Sequence, residues 1–181
     1  MIRDKDISVI LVDDEDGFIG YGEKLDVHRK GLLHRAFSVL LYNDQGELLI
    51  QKRADDKYHA GGLWANTVCG HPFPGEESQD GAVRRLFEEL GLHGTVTPLT
   101  HIYYRKDLDH GMIEHEYVHV FEATWDGKAI TPDPREVSQV QWLSPLAIRE
   151  DMKANPNKYA AWFAHYVDCH FDELFAHHIK A

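Results

Sequence analysis

Three short stretches of this chain hold residues that can do chemistry together. Cys69-Gly70-His71-Pro72-Phe73-Pro74-Gly75-Glu76 joins a thiol, an imidazole and a carboxylate. Arg84-Arg85-Leu86-Phe87-Glu88-Glu89 sets two guanidinium groups four residues ahead of two carboxylates, and Glu114-His115-Glu116 spaces two carboxylates by two. Carboxylates and imidazoles are ligands for divalent cations, and arginine forks match phosphate oxygens. The ordered set points to diphosphate chemistry at a divalent metal.

These residues need rigid elements beneath them. Val83, Leu86, Phe87 and Leu90 recur at i, i+3, i+4 and i+7, which predicts a helix with one apolar face. Ser78 is its expected N-cap and Gly91 its C′ residue. Arg84 with Glu88, and Arg85 with Glu89, are i,i+4 pairs; in an arbitrary helix they are surface salt bridges, and here the flanking motif gives them a second meaning. If the apolar run Tyr117 to Thr124 is a strand reaching back through Glu114, then Glu114 and Glu116 project from one face, as Cys69 and His71 do from theirs.

The same pattern reading places strands at Ile7 to Val12, Arg35 to Tyr42, Glu47 to Lys52, Trp64 to Cys69, His101 to Arg105 and Val137 to Leu143. Asn43-Asp44-Gln45-Gly46 is a hairpin turn, and Asp126-Gly127 another turn. Helices are expected near Pro145 to Ala154 and Asn157 to Ala176, the second presenting Trp162, Phe163, Tyr166 and Val167 on one face. The fold class is α/β, a mixed sheet between α-helices, in one domain spanning 1–181. Gly20, Gly22 and Gly31 leave the segment carrying His28 loosely specified, which fits ordering on metal binding.

The helix and its approach resemble the Nudix box, G-x5-E-x7-R-E-U-x-E-E-x-G-U with U a bulky aliphatic residue, at Gly70, Glu76, Arg84, Leu86, Glu88, Glu89, Gly91 and Leu92. Arg85 departs, because ordinary Nudix hydrolases carry a metal-binding Glu there. Replacing a carboxylate by a cation disfavours a multi-metal hydrolytic site and favours a grip on an anionic head group. Over nearly the whole chain, Asn66-Thr67-Val68-Cys69-Gly70-His71-Pro72, the Arg85 variant box, Tyr104-Arg105 and Glu114-His115-Glu116 are similar to the type I isopentenyl diphosphate isomerases. That resemblance implies a Nudix-like fold and migration of a double bond to give dimethylallyl diphosphate. A Nudix pyrophosphatase acting on a nucleoside or prenyl diphosphate is the alternative.

The resemblance also implies roles. His28, His34, His71, Glu114 and Glu116 would ligate one ion; a mixed imidazole and carboxylate set suits Mn²⁺ or Mg²⁺, or Zn²⁺ with expanded coordination. Glu89 would hold a Mg²⁺ that arrives with the diphosphate. Lys24, Arg53, Lys57 and Arg85 would bind the diphosphate. Cys69 and Glu116 would be the acid and base on opposite sides of the isoprenyl group, Tyr104 would assist Glu116, and Trp162 would face a carbocation with its indole. The chain has 13 histidines; His59, His93, His101, His110, His115, His119, His165, His170, His177 and His178 carry no such implication. Cys169 reads as a small apolar residue of the C-terminal helix.

Composition narrows the partners. With 181 residues, 43% hydrophobic, the chain can bury a sizeable core, and no stretch approaches a membrane span. A net charge of −11 argues against nucleic acid. Two cysteines far apart give no disulfide framework, and residues 1–6 lack an apolar signal region, so a cytoplasmic home is expected. The resemblance implies isopentenyl diphosphate as the substrate, and a monomer is expected.

Overall fold

The computed structural model describes residues 7–57, 59–108 and 111–179; His110 and the N-terminal residues 1–6 lie outside them. Among the described residues nine strands form one mixed sheet. They are β1 (Ser8–Val12), β2 (Phe18–Glu23), β3 (His34–Tyr42), β4 (Leu48–Arg53), β5 (Trp64–Ala65), β6 (Val68–Gly70), β7 (Thr97–Asp107), β8 (Ile113–Thr124) and β9 (Val137–Leu143). The helices are α1 (Lys24–Lys30), α2 (Ser78–Leu90), α3 (Pro145–Ala154), α4 (Ala161–Cys169) and α5 (Phe171–Phe175).

β3 organises the sheet because eight of its nine residues are buried and, from Ala36 to Tyr42, all but Ser38 are apolar, as suits a strand covered on both faces. It pairs parallel with β8 from His34↔Glu116 to Tyr42↔Thr124, and antiparallel with β6 through Ser38↔Cys69. Two cores lie on opposite faces. α2 covers Phe37, Val39, Leu41 and Leu49 with Ala82, Leu86 and Leu90. On the other face, α3, α4 and α5 bring Ile148, Trp162, Phe163, Tyr166 and Phe175 onto Leu40, Ile50, Val118 and Val120.

Local chemistry explains the ends of the elements. At Asn43, the side-chain oxygen accepts the N–H groups of Gln45 and Glu47, which closes the β3–β4 hairpin. Gly91 ends α2 at φ 66°, its N–H donating to the Leu86 and Phe87 carbonyls; a Cβ there would meet Thr131 Oγ1 at 2.0 Å.

Several expectations are corrected. Glu77, not Ser78, sits at the N-cap of α2, and Ser78 is the first helical residue, buried. Phe87 is 51% exposed and stacks on His93, because the buried stripe of α2 runs through Ser78, Ala82, Leu86 and Glu89 instead. Gly20 and Gly22 lie inside β2, and Gly31 caps α1 in the left-handed region rather than standing in loops. Trp64 to Cys69 forms two strands rather than one. The C-terminal helix is interrupted: a 3₁₀ turn at Pro156–Lys158 precedes a bridge from Tyr159 to Trp64, and His170 separates α4 from α5. Cys169 is exposed at that break.

Candidate active site

Four elements deliver one cluster of donors. His28 comes from α1, His34 opens β3, His71 follows β6, and Glu116 lies on β8 directly opposite His34. Their ligating atoms all lie within 4.8 Å of one another. The N-terminal strands carry α1 over the start of β3, which is why residues far apart in sequence converge.

The tautomers suit an ion. His28 Nδ1 is 2.7 Å from the Lys24 carbonyl and His34 Nδ1 is 2.9 Å from the Leu32 carbonyl, so both nitrogens act as donors and leave the Nε2 lone pairs facing inward. Burial lowers the His28 pKa to about 4 and that of His71 to about 3, which keeps these rings neutral, the form that ligates. His71 Nε2 sits 3.1 Å from both His34 Nε2 and Glu116 Oε1. Burial opposes ionisation of Glu116, yet the hydrogen bond from His71 and the adjacent His34 ring hold its carboxyl well below the usual range. Three imidazoles around one carboxylate are a donor set that fits a divalent ion.

Glu114 stands beside this group. The Tyr104 hydroxyl lies 3.0 Å from Glu114 Oε2 and 3.0 Å from Glu116 Oε2, linking the two carboxylates. Burial and the nearby Glu116 charge raise the Glu114 pKa to about 8. The even residues of β8, from Glu114 to Val120, all face inward, as the two-residue period requires.

Cys69 precedes His71 by two residues on the same side of the sheet, opposite Ser38. Burial pushes its thiol up to about 12, so it carries a proton. Above it, Trp162 of α4 is held by its indole N–H, which donates to Asn66 Oδ1 at 3.2 Å, and the Arg53 guanidinium lies 5.2 Å from its ring centroid.

The anion-binding candidates fall into separate groups. Lys57 and Arg85 both reach Glu136 Oε2, each at 2.9 Å, and Arg85 also donates to Glu89 at 2.5 Å. Glu89 is buried and accepts from Gln51 at 2.7 Å. Arg53 is placed at Trp162, and Lys24 begins α1 close enough to depress His28, His59 and His71 electrostatically. Arg84 turns away to Glu76 through two hydrogen bonds of 2.7 and 2.9 Å, bracing the loop ahead of α2.

With this geometry in view, residues 32–163 match the NUDIX domain family model. Isopentenyl-diphosphate Delta-isomerase of Pectobacterium atrosepticum is 48% identical over 156 residues, covering 86% of each chain. The enzyme of the same name from Burkholderia multivorans is 43% identical, over 86% of this chain and 88% of its own. This chain belongs to the isopentenyl-diphosphate Delta-isomerase family of Nudix proteins. At the level of fold alone, it resembles a crystal structure from Deinococcus radiodurans at TM-score 0.73 and 20% identity, spanning 88% of this chain and 96% of that one. A MutT protein from Methanosarcina mazei aligns at TM-score 0.62 and 19% identity, over 77% and 93% respectively.

Within this isomerase-family chain, two site residues escaped the sequence reading. His59 Nε2 lies 3.7 Å from Glu114 Oε1, with its ring 5.7 Å from Trp162. Glu136 is the shared partner of Lys57 and Arg85. His59 sits in a loop and Glu136 just before β9, so no local periodicity marks either; only the fold brings them in. His115 keeps its unassigned reading, with Nδ1 at the Gly31 carbonyl and Nε2 at the Tyr103 hydroxyl on the outer face.

Proposed function

We propose that this chain interconverts isopentenyl diphosphate and dimethylallyl diphosphate, working as a monomeric, cytoplasmic single-domain enzyme with no nucleic-acid or membrane partner. The carrying observation is that Cys69, a partly buried thiol whose pKa is pushed up, and Glu116, a buried carboxylate whose pKa is held low, meet at one site in a chain whose relatives bear that enzyme's name.

Isomerisation adds a proton to the terminal CH₂ of the alkene, leaving positive charge on the tertiary carbon. Loss of a proton from the carbon nearer the diphosphate then forms the internal double bond. One group must donate and another accept, which Cys69 and Glu116 would do, exchanging roles when the reaction runs backward. Tyr104 stays an O–H, because burial and the two carboxylates raise its pKa well above the ordinary value, so it steadies Glu116 as a hydrogen-bond donor. Trp162 would shield the cationic carbon and stabilise it through its π face.

His28, His34, His71, Glu114 and Glu116 would hold Mn²⁺ or Zn²⁺, and Glu89 a Mg²⁺ that accompanies the substrate; bound, these ions neutralise diphosphate charge and favour ionised Glu116. Lys24, Arg53, Lys57 and Arg85 would grip the diphosphate. Lys57 and Arg85 would then trade Glu136 for phosphate oxygens.

A proton NMR time course with isopentenyl diphosphate and Mg²⁺ in D₂O tests the reading, beside a phosphate-release assay. Deuterated dimethylallyl diphosphate is expected. Released phosphate or pyrophosphate without isomer would replace it with a pyrophosphatase.

A further inference from the structure

A second imidazole–carboxylate cluster lies six residues along β8 from Glu116, about 20 Å away by strand rise. His177 and His178, adjacent on the 3₁₀ turn Ala176–His178 that follows α5, both point Nε2 at Glu122 Oε2, at 2.6 and 3.0 Å. The three ligating atoms lie within 4.8 Å of one another.

Packing presets this arrangement. The His178 ring stacks on Tyr42 with centroids 3.5 Å apart and planes at 17°. Its carbonyl presses on the β3–β4 turn so closely that a Cβ on Gly46 would come within 2.7 Å. The Tyr42 hydroxyl donates to the Leu174 carbonyl at 3.2 Å, tying α5 to the same strand. Beside Glu122 and His177 a groove of about 570 Å³, lined by Leu92, Pro98, Leu99 and Trp125, opens the cluster to solvent.

We propose that Glu122, His177 and His178 form a further metal site, away from the catalytic centre, that takes a Zn²⁺-class ion through two Nε2 atoms and one carboxylate. Two imidazoles and a carboxylate are a donor set used for Zn²⁺ with a position left for water, and nitrogen donors select Zn²⁺, Ni²⁺ or Cu²⁺ over Mg²⁺. On binding, each ring presents its Nε2 lone pair and carries its proton on Nδ1, so no co-reactant is needed. An ion there clasps the C-terminal turn to β8 and stabilises the folded state by linkage.

Native mass spectrometry of the Mn²⁺-loaded protein titrated with Zn²⁺ tests this. The wild type is expected to hold one more divalent ion than the His177→Ala/His178→Ala double variant, with a Zn²⁺-dependent rise in melting temperature that the variant lacks and turnover equal in both. Equal ion counts would overturn the site. Glu122→Gln keeps side-chain size and an acceptor oxygen, and should weaken the extra Zn²⁺ at least tenfold; undiminished affinity would also overturn it.

Discussion

The molecule gathers imidazoles around a carboxylate twice, and the two clusters are held in opposite ways. Around Glu116 the rings come from α1, β3 and the end of β6, His28 and His34 are buried, and backbone carbonyls hold their Nδ1 atoms. Around Glu122 two neighbouring residues of one turn supply both rings, partly exposed, with His178 stacked on Tyr42. Burying polar groups from four elements is costly unless something compensates. The first cluster is therefore worth assembling only for chemistry, whereas the second comes with the packing of a surface turn and can serve stability alone.

The sharpest way to break this contrast is at the thiol. Cys69→Ala should reduce isomerisation by about a thousandfold or more while leaving the fold intact, as for loss of an acid–base group; the NMR assay measures it. Wild-type turnover in that variant would remove Cys69 from the mechanism. The double variant at His177 and His178 should leave the same assay within about twofold.

Arg85 tests whether the site's cations also carry the fold. It is mostly buried and holds Glu88, Glu89 and Glu136 together. Arg85→Glu restores the ordinary Nudix residue but sets a third carboxylate against Glu89 and Glu136. We expect a loss of about 3 kcal/mol in urea unfolding, together with a raised KM for the diphosphate. Improved substrate binding would mean that Arg85 is not a phosphate contact.

Glu114 sharpens the boundary of the buried cluster, because its carboxylate leans on Tyr104 and lies near His59 rather than inside the group of four donors. As a ligand, it should be felt in metal retention: Glu114→Gln is expected to weaken Mn²⁺ binding about 10- to 100-fold, read by elemental analysis after dialysis. Unchanged metal content would refute the ligand role.

The legible parts of the site are those written in periodicity. Two-residue spacing put Glu114 and Glu116 on one face of β8, and helical spacing found α2, its arginine–glutamate pairs and the Gly91 stop. Phe87 was misplaced because a hydrophobic pattern cannot tell which of two overlapping stripes meets the sheet; the buried stripe includes the polar Ser78 and Glu89, which find room beside Gln51 and β3. The break at His170 and the capture of His59 and Glu136 were illegible for another reason. The capture of Glu136 and the interruption before α4 depend on contacts between elements far apart in sequence, Lys57 meeting Glu136 and Tyr159 bridging Trp64, which no local window contains.

The smallest effect lies at the outer cluster and concerns pH. Burial disfavours the Glu122 carboxylate, but hydrogen bonds from His177 and His178 outweigh it and lower its pKa in the folded state. A carboxyl with a depressed folded value binds protons more readily when unfolded, so its stabilisation is present above the unfolded value near about 4.3 and is lost as pH falls through the folded one. With the side chain 26% exposed, solvent screening keeps the contribution below about 1 kcal/mol. Urea midpoints measured from pH 6 down to pH 3 should therefore converge between wild type and Glu122→Gln, the wild type being slightly the more stable at the upper end. A difference that grew toward acid would mean that burial dominates at Glu122, and the two clusters would then resemble each other more closely than their exposure suggests.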